Sequence, residues 1–166
     1  IKANYPWATT GRKRGTQHRV ITSLDLDSVK MEAHNRHLQE KYRLVEENEV
    51  RFEEIECEDA EYVFVAYGSS ARIAQKSVQL ARAEGLKVGL LRPITLFPFP
   101  SKAIQNLIDR GAKGFLAVEL SCGQMIEDVK LAVNGRVKAE HFGRVGGIIH
   151  TPEEVLEAMK KQIIGE

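Results

Sequence analysis

Cysteine is scarce in this chain: Cys57 and Cys122 are the only two in 166 residues. Two cysteines so far apart in sequence make neither a disulfide framework nor a zinc site. Because no Cys-x-x-Cys occurs, the chain also lacks the thiolate spacing with which proteins hold iron–sulfur clusters. The cysteine content therefore predicts a reducing, cytoplasmic setting and no metal or cluster held by this chain.

Long apolar runs, an excess of one charge and a leader pattern are also missing. No run approaches the roughly 20 apolar residues of a membrane-spanning helix, and no signal-peptide pattern opens the chain. The net charge is only +1, so no overall field attracts nucleic acid or a membrane surface. The basic residues 12–14 could form a nucleic-acid-binding patch, but no aromatic residues are interleaved with them, which favours an exposed loop instead. The first residue is Ile1 rather than Met, which predicts a fragment of a longer protein.

Glycine-rich nucleotide motifs are absent as well. A single glycine, Gly68, stands between an apolar run and a helical pattern, whereas dinucleotide binding needs G-x-G-x-x-G. Followed by Ser69 and Ser70, it predicts a tight turn and a serine-capped helix. The alternative is that amides at the start of this helix bind a phosphate or a carboxylate.

The composition changes near Tyr62 and divides the chain into residues 1–57 and residues 58–166. Within the first part, Pro6–Ser23 is polar and aperiodic, which is typical of an extended arm. Val50–Cys57 alternates apolar and polar residues with one slip, which predicts an edge strand. The first part is therefore interpreted as an arm, a helical linker and an edge strand, and the second as the main domain.

The helical linker is predicted to start at a cap, Asp25 or Asp27, and to end near Glu49. Its apolar stripe at helical spacing consists of Met31, Leu38, Tyr42 and Val45. Because the rest of this helix is charged, one side of it is solvated. The stripe is expected to pack on another domain or subunit; the alternative is that it folds back onto its own domain.

From Tyr62 onward, apolar strands alternate with amphipathic helices. Strands are predicted at Tyr62–Ala66, Lys87–Leu91, Gly114–Leu120 and Ala139–Phe142. Helices are predicted from Ser69 or Ser70 to Gly85, from Ser101 to Arg110, at Gln124–Val133, and from the capping box at Thr151 to about Ile164. This alternation predicts an α/β fold: a three-layer α/β/α sandwich with a mostly parallel sheet, preceded by the arm and the long helix.

Ligands and partners of open α/β sheets bind at the carboxyl ends of the strands. If the strand order is 2-1-3, the loops at Gly68–Ser70 and Ser121–Gln124 face each other at that edge. Glu119 follows an apolar strand, where a carboxylate must be paired or exposed. It is interpreted either as an interface or site residue or as part of a structural salt bridge. No base is legible near Cys122, so a buried loop thiol is predicted there.

The histidines form no recognisable constellation. His34 and His37 are three residues apart on a helix, but no third metal ligand is evident, so a solvated face is favoured. His18, His141 and His150 each stand alone in the sequence. Read from these residues, the chain remains open to three interpretations: an enzyme with its own site, a binding module, or a piece of a larger subunit.

Six stretches together carry a resemblance that spans nearly the whole chain. They are Tyr5–Gly15, Met31–Glu54, YGSSAR (Tyr67–Arg72), LLRPITLFPFP (Leu90–Pro100), VELSCGQMIEDVKLAVNGR (Val118–Arg136) and FGRVGG (Phe142–Gly147). In order and spacing they resemble the carboxyl-terminal, transketolase-like domain of a subunit in 2-oxoacid:ferredoxin oxidoreductases. The type that acts on 2-ketoisovalerate matches best.

The resemblance implies a part in a complex that oxidatively decarboxylates a 2-oxo acid to acyl-CoA, CO2 and reduced ferredoxin. Thiamine diphosphate, Mg²⁺ and iron–sulfur clusters are implied for that complex, with coenzyme A, ferredoxin and further subunits as partners. The cofactor would lie between other domains, and no GDG-type motif occurs here. No catalytic, cofactor-binding or metal residue is therefore assigned to this chain.

The resemblance instead points to interface residues at the carboxyl edge of the sheet. These candidates are Gly68, Ser69, Arg92, Phe97, Glu119 and Gln124. Two rival interpretations stay open: a non-enzymatic α/β interaction module, and a component of another thiamine-dependent dehydrogenase or of a transketolase.

Overall fold

A computed structural model describes residues 11, 14–18, 20 and 22–165. Half of the predicted arm Pro6–Ser23, including the first two residues of the basic cluster, lies outside these described residues. The chain forms two compact units, residues 1–41 and residues 42–166. The predicted division after residue 57 stays a prediction.

The long helix α1 spans Ser28–Asn48, and none of its residues is buried. Asp27 caps it: its Oδ1 accepts hydrogen bonds from the backbone N–H groups of Val29, at 3.0 Å, and Lys30, at 3.2 Å. This satisfies two of the amides that have no partner within a helix. Of the two predicted caps, Asp27 is therefore the one that the structure confirms.

The sheet has five strands in the order β1-β3-β2-β4-β5. They are β1 Phe52–Ile55, β2 Tyr62–Ala66, β3 Val88–Pro93, β4 Gly114–Glu119 and β5 Lys138–Gly143. β1 pairs antiparallel with β3, and the other neighbours pair in parallel. The predicted edge strand, the central position of β2 and the 2-1-3 order of its neighbours are all confirmed.

Four helices cover the sheet: α2 Gly68–Ala83, α3 Ser101–Asp109, α4 Met125–Val133 and α5 Pro152–Met159, the last continued by a π-helical turn at Lys160–Ile164. The predicted serine caps are wrong. Tyr67 and Pro100 occupy the cap positions of α2 and α3, without a side-chain cap hydrogen bond. The capping box of α5 is confirmed, because Thr151 and Glu154 exchange hydrogen bonds of 3.0 and 3.2 Å.

Each face of the sheet has its own hydrophobic core. On one face, strand residues such as Phe64 and Leu116 pack against α2 and α5. On the other, strand residues such as Val65 and Phe115 pack against α3 and α4. Alternate residues of a strand point to opposite faces, so a strand buried on both sides reads as a continuous apolar run. The three-layer α/β/α arrangement is thus confirmed.

Candidate interface at the carboxyl edge of the sheet

Strands β2 to β5 run in parallel, so their carboxyl ends meet at one edge of the sheet. We call this the carboxyl edge and define it by the four segments, here called its loops, that follow these strands: residues 67–70, 94–100, 120–124 and 144–150. The first of these segments includes the opening turn of α2. The sequence-predicted candidates all lie in or beside these loops: Gly68, Ser69, Arg92, Phe97, Glu119 and Gln124. The contacts of each candidate differ, and they decide what it can do.

Glu119 is the last residue of β4 and is only 1% exposed. Its Oε2 accepts hydrogen bonds from the hydroxyl of Ser121 and from the amides of Gln124 and Met125, at 3.0–3.1 Å. Its Oε1 accepts one from the amide of Ile126 at 3.0 Å. The carboxylate therefore serves as the acceptor for the start of α4, where a negative charge also complements the helix dipole. Neither of the two sequence interpretations described this structural role.

Two histidines adjoin Glu119. The Nε2 of His141 lies 3.8 Å from Glu119 Oε1, and the Nε2 of His150 lies 2.9 Å from the backbone oxygen of Glu119. A carbonyl only accepts, so His150 donates through Nε2–H. Its Nδ1 is then the unprotonated nitrogen, and that atom is buried without a hydrogen-bond partner. The His150 ring also packs on Phe142, with 5.2 Å between ring centroids.

Arg144 ties the last loop to α5. Its guanidinium forms an ion pair with Glu154 and stands 5.9 Å from the centroid of the Phe142 ring. Its backbone N–H donates to Glu119 O at 3.2 Å. The Thr151 amide, and then Arg144, hold the pKa of Glu154 below its usual value. These contacts fix the conformation of the loop at residues 144–150.

Gly143 has no room for a side chain. A Cβ atom there would lie closer than 3.0 Å to the backbone oxygen of Ser121 and to the ring of His141. Real Cβ atoms essentially never approach backbone oxygen so closely, so the loops after β4 and β5 can come together only over a glycine. This explains the first glycine of the FGRVGG stretch by packing.

The remaining candidates differ in whether their side chains form contacts within the domain or are exposed. Arg92 is opposite Glu53 in the β1–β3 register and forms an ion pair with it at 3.3 Å. Phe97 is 63% exposed and meets the ring of Tyr42 edge-on at 6.0 Å. Gly68, Ser69 and Gln124 are exposed. Arg92 is thus engaged within the domain, whereas Phe97 presents most of its ring outward.

The prediction for Cys122 is wrong, because this thiol is exposed. The amide of Gly123 donates to the hydroxyl of Ser121 at 3.1 Å, which closes a tight turn with Cys122 at its tip. Cys57, in contrast, is buried, and burial raises the pKa of its thiol to about 11. The two thiols therefore differ greatly in their access to solvent.

We predict that His150 makes folding stability pH-dependent below about pH 6.5. Burial lowers the pKa of His150, with Arg144 and His141 acting in the same direction and the Glu119 carbonyl and Glu154 opposing. The native state therefore binds fewer protons than the unfolded state, so the free energy of unfolding decreases as the pH is lowered, by at most about 1.4 kcal/mol per pH unit for one proton. Urea unfolding at pH 7.5 and pH 5.5 measures this loss.

The variant His150→Phe should lose less stability than the unchanged protein between those two pH values. The matched control is His37→Gln, an exposed histidine on α1, which should keep the original slope. Glu154, whose pKa is also lowered, contributes only nearer its own range, below about 4.5. An identical slope in the His150 variant would contradict the assignment.

The described residues do not fit a metal cofactor. Among residues 22–165 and the few described before them, no group of three or more His, Cys, Asp or Glu side chains is placed to hold a metal ion. A [4Fe–4S] cluster is bound by four thiolates, and this chain has two cysteines.

Among the same described residues, no helix has the length and apolar content of a membrane span.

The fold is that of an α/β domain with a mostly parallel five-stranded sheet and helices on both faces. Residues 60–155 match the family described as pyruvate:ferredoxin oxidoreductase core domain II, and since this is more than half of the chain, the chain belongs to that family. It is 50% identical over 160 residues to ketoisovalerate oxidoreductase subunit VorB of Methanothermobacter marburgensis, which is 96% of this chain and 44% of that subunit. The chain thus spans less than half the length of the curated relatives it matches.

Two solved structures share the fold. The first is a 2-oxoglutarate:ferredoxin oxidoreductase from Magnetococcus marinus with 2-oxoglutarate, coenzyme A and succinyl-CoA bound. It superposes with a TM-score of 0.65 at 20% sequence identity, and the match covers 83% of this chain and 24% of that chain. The second structure is a split-gene transketolase, an inactive β4 tetramer, with a TM-score of 0.58 at 16% sequence identity. The match covers 69% of this chain and 41% of the transketolase chain. The predicted transketolase-like α/β class is confirmed by both.

Proposed function

We propose that this chain supplies the transketolase C-terminal-like domain to a subunit of a 2-oxoacid:ferredoxin oxidoreductase that acts on 2-ketoisovalerate. The observation that carries the proposal is the 50% identity, over 96% of the chain, to a ketoisovalerate oxidoreductase subunit. In this proposal the complex is cytoplasmic and converts the 2-oxo acid to acyl-CoA, CO2 and reduced ferredoxin. Its other subunits, coenzyme A and ferredoxin are the partners.

We assign a structural and assembly role to this domain, not the chemistry. The polar side chains at the carboxyl edge are engaged with each other: Glu119 with the start of α4, Arg92 with Glu53, and Arg144 with Glu154. No GDG-type motif occurs in the chain. Thiamine diphosphate with its Mg²⁺, and the iron–sulfur clusters, are therefore assigned to other parts of the complex.

The experiment is to purify the full-length protein with its partner subunits and to supply thiamine diphosphate, coenzyme A and 2-ketoisovalerate. Substrate-dependent reduction of ferredoxin or of a viologen dye is expected, and it should require every subunit. No reduction by the reconstituted complex would favour the non-enzymatic interaction module. Activity with NAD or with a sugar phosphate instead would favour another thiamine-dependent dehydrogenase or a transketolase.

A second prediction concerns the isolated 166-residue chain. We expect it neither to bind thiamine diphosphate tightly nor to turn over 2-oxo acids, because it has no pyrophosphate and metal motif. Calorimetric titration with thiamine diphosphate and Mg²⁺ measures this, with the full-length complex as the positive control. Micromolar binding by the isolated chain would refute the assignment of the cofactor to other domains.

A further inference from the structure

The carboxyl edge carries almost no charge. The loop residues 67–70, 94–100, 120–124 and 144–150 include a single Asp, Glu, Lys or Arg, in a chain that is 28% charged. This residue is Arg144, whose charge is paired with Glu154 within the domain. They expose large apolar side chains instead, each between 46% and 63% exposed: Ile94, Leu96, Phe97, Leu120, Val145, Ile148 and Ile149. Neighbouring strands are about 4.8 Å apart, so the ends of β3 and β5, with β2 and β4 between them, are roughly 15 Å apart at this edge.

The opposite edge of the same sheet is built differently. Charged side chains stand before the strands and pair with one another. These pairs are Asp59 with Arg82, Glu61 with both Lys87 and Lys113, and Asp109 with Arg136. The ion pair with Lys113 holds the pKa of Glu61 below its usual value. Exposed ion pairs of this kind suit a surface in contact with water.

Two edges of one sheet therefore have opposite character. Loss of charge together with exposed aromatic and aliphatic side chains is the composition of the buried centre of a permanent interface. Left uncovered, such a patch favours association with other molecules. A segment of the same polypeptide is the best-suited occupant, because covalent linkage gives it a high effective concentration at all times.

We infer that the carboxyl edge is covered by the remainder of the same subunit. More than half of each VorB relative lies outside the region that matches this chain, so a partner segment of sufficient size exists in proteins of this kind. The occupant would present an apolar, uncharged surface to Phe97, Leu120 and Ile149. This inference rests on the edge and on the relatives' length, and it does not depend on which 2-oxo acid is the substrate.

The two cysteines give a direct test without any substitution. Cys122 is exposed at this edge, whereas Cys57 is buried with a pKa of about 11, so a maleimide should modify Cys122 first. We expect fast modification of Cys122 in the isolated chain. In the full-length subunit without its partners we expect modification slower by on the order of 100-fold, because it then requires local opening. Peptide mass spectrometry identifies the modified cysteine.

Two results would overturn the inference. Fast modification in the full-length subunit that becomes slow only in the assembled complex would show that another subunit covers the edge. Fast modification of Cys122 in both the full-length subunit and the assembled complex would show that nothing covers the edge. Neither result depends on catalytic activity, so failure here and failure of the proposed function are separate outcomes.

A pair of leucine substitutions provides an independent readout. Leu120→Asp places a charge in the edge, whereas Leu131→Asp places one on α4 outside the four loops, where Leu131 is 78% exposed. Both should leave the thermal midpoint of the isolated chain nearly unchanged. In the full-length subunit, only Leu120→Asp should restore fast modification of Cys122. If the two variants behave alike in the full-length subunit, the inference is wrong.

Discussion

Replacing Glu119 with alanine is expected to lower the free energy of unfolding by about 3 kcal/mol or more. The carboxylate is 1% exposed and accepts three backbone amides at the start of α4. Alanine would leave those amides without an acceptor and would open a cavity beside them. Urea unfolding monitored by circular dichroism measures the loss.

Two further variants make this test specific. Glu119→Gln keeps the volume but replaces one acceptor oxygen with a donor that faces amide donors, so an intermediate loss is expected. Glu127→Ala removes an exposed carboxylate from the first turn of the same helix and should change stability by less than about 1 kcal/mol. Equal effects of the Glu119 and Glu127 substitutions would contradict the buried capping role.

Replacing Val65 with aspartate should be as damaging, with an expected loss of about 3 kcal/mol or more. Val65 is 0% exposed and lies between Leu91 and Ala117 in the centre of the sheet. Val65 lies within a cluster of buried apolar side chains, so an ionised aspartate there would lose its hydration in an apolar environment. The chemical-denaturation midpoint reports the loss.

The matched control for this substitution is Val145→Asp. Val145 is 52% exposed in the loop after β5, so in the isolated chain its change should shift stability by no more than about 0.5 kcal/mol. A denaturation midpoint that hardly moved for Val65→Asp would show that β2 is not the central strand of the folded domain.

Most of the fold follows from local signals in the sequence. Uninterrupted apolar runs such as Tyr62–Ala66 predict strands covered on both faces, and capped amphipathic segments predict the helices between them. Gly85 shows why helix ends are also accessible: it follows α2 at φ +85°, a conformation that glycine adopts without strain. Helix starts were less predictable, because the adjacent serines at 69–70 and 101 offered caps that the structure does not use.

The contacts at the carboxyl edge are not legible in the sequence, because they join residues distant along the chain. Glu119 meets His141 and His150 only after β4 and β5 pair, and no local spacing signals that encounter. Cys122 was misjudged for a related reason. A thiol in an apolar context is usually buried, but here a turn closed by Ser121 and Gly123 leaves it exposed.

The interior of the edge and its surface have separate roles in this account. The polar groups beneath it are satisfied within the domain, which fixes the course of the loops after β4 and β5. The residues that remain outward are mostly apolar and uncharged. A rigid, charge-poor edge of this kind is suited to holding another part of a large enzyme in place, which agrees with the assembly role that we propose.

The most direct test of the central claim is the initial rate of viologen reduction by the fully assembled complex with each of three 2-oxo acids at equal concentration. These are 2-ketoisovalerate, pyruvate and 2-oxoglutarate. Reduction is expected to require the subunit that contains this chain and to be fastest with 2-ketoisovalerate. Faster reduction with pyruvate or 2-oxoglutarate would contradict the proposed substrate, and no reduction with any of the three would contradict the proposed enzyme.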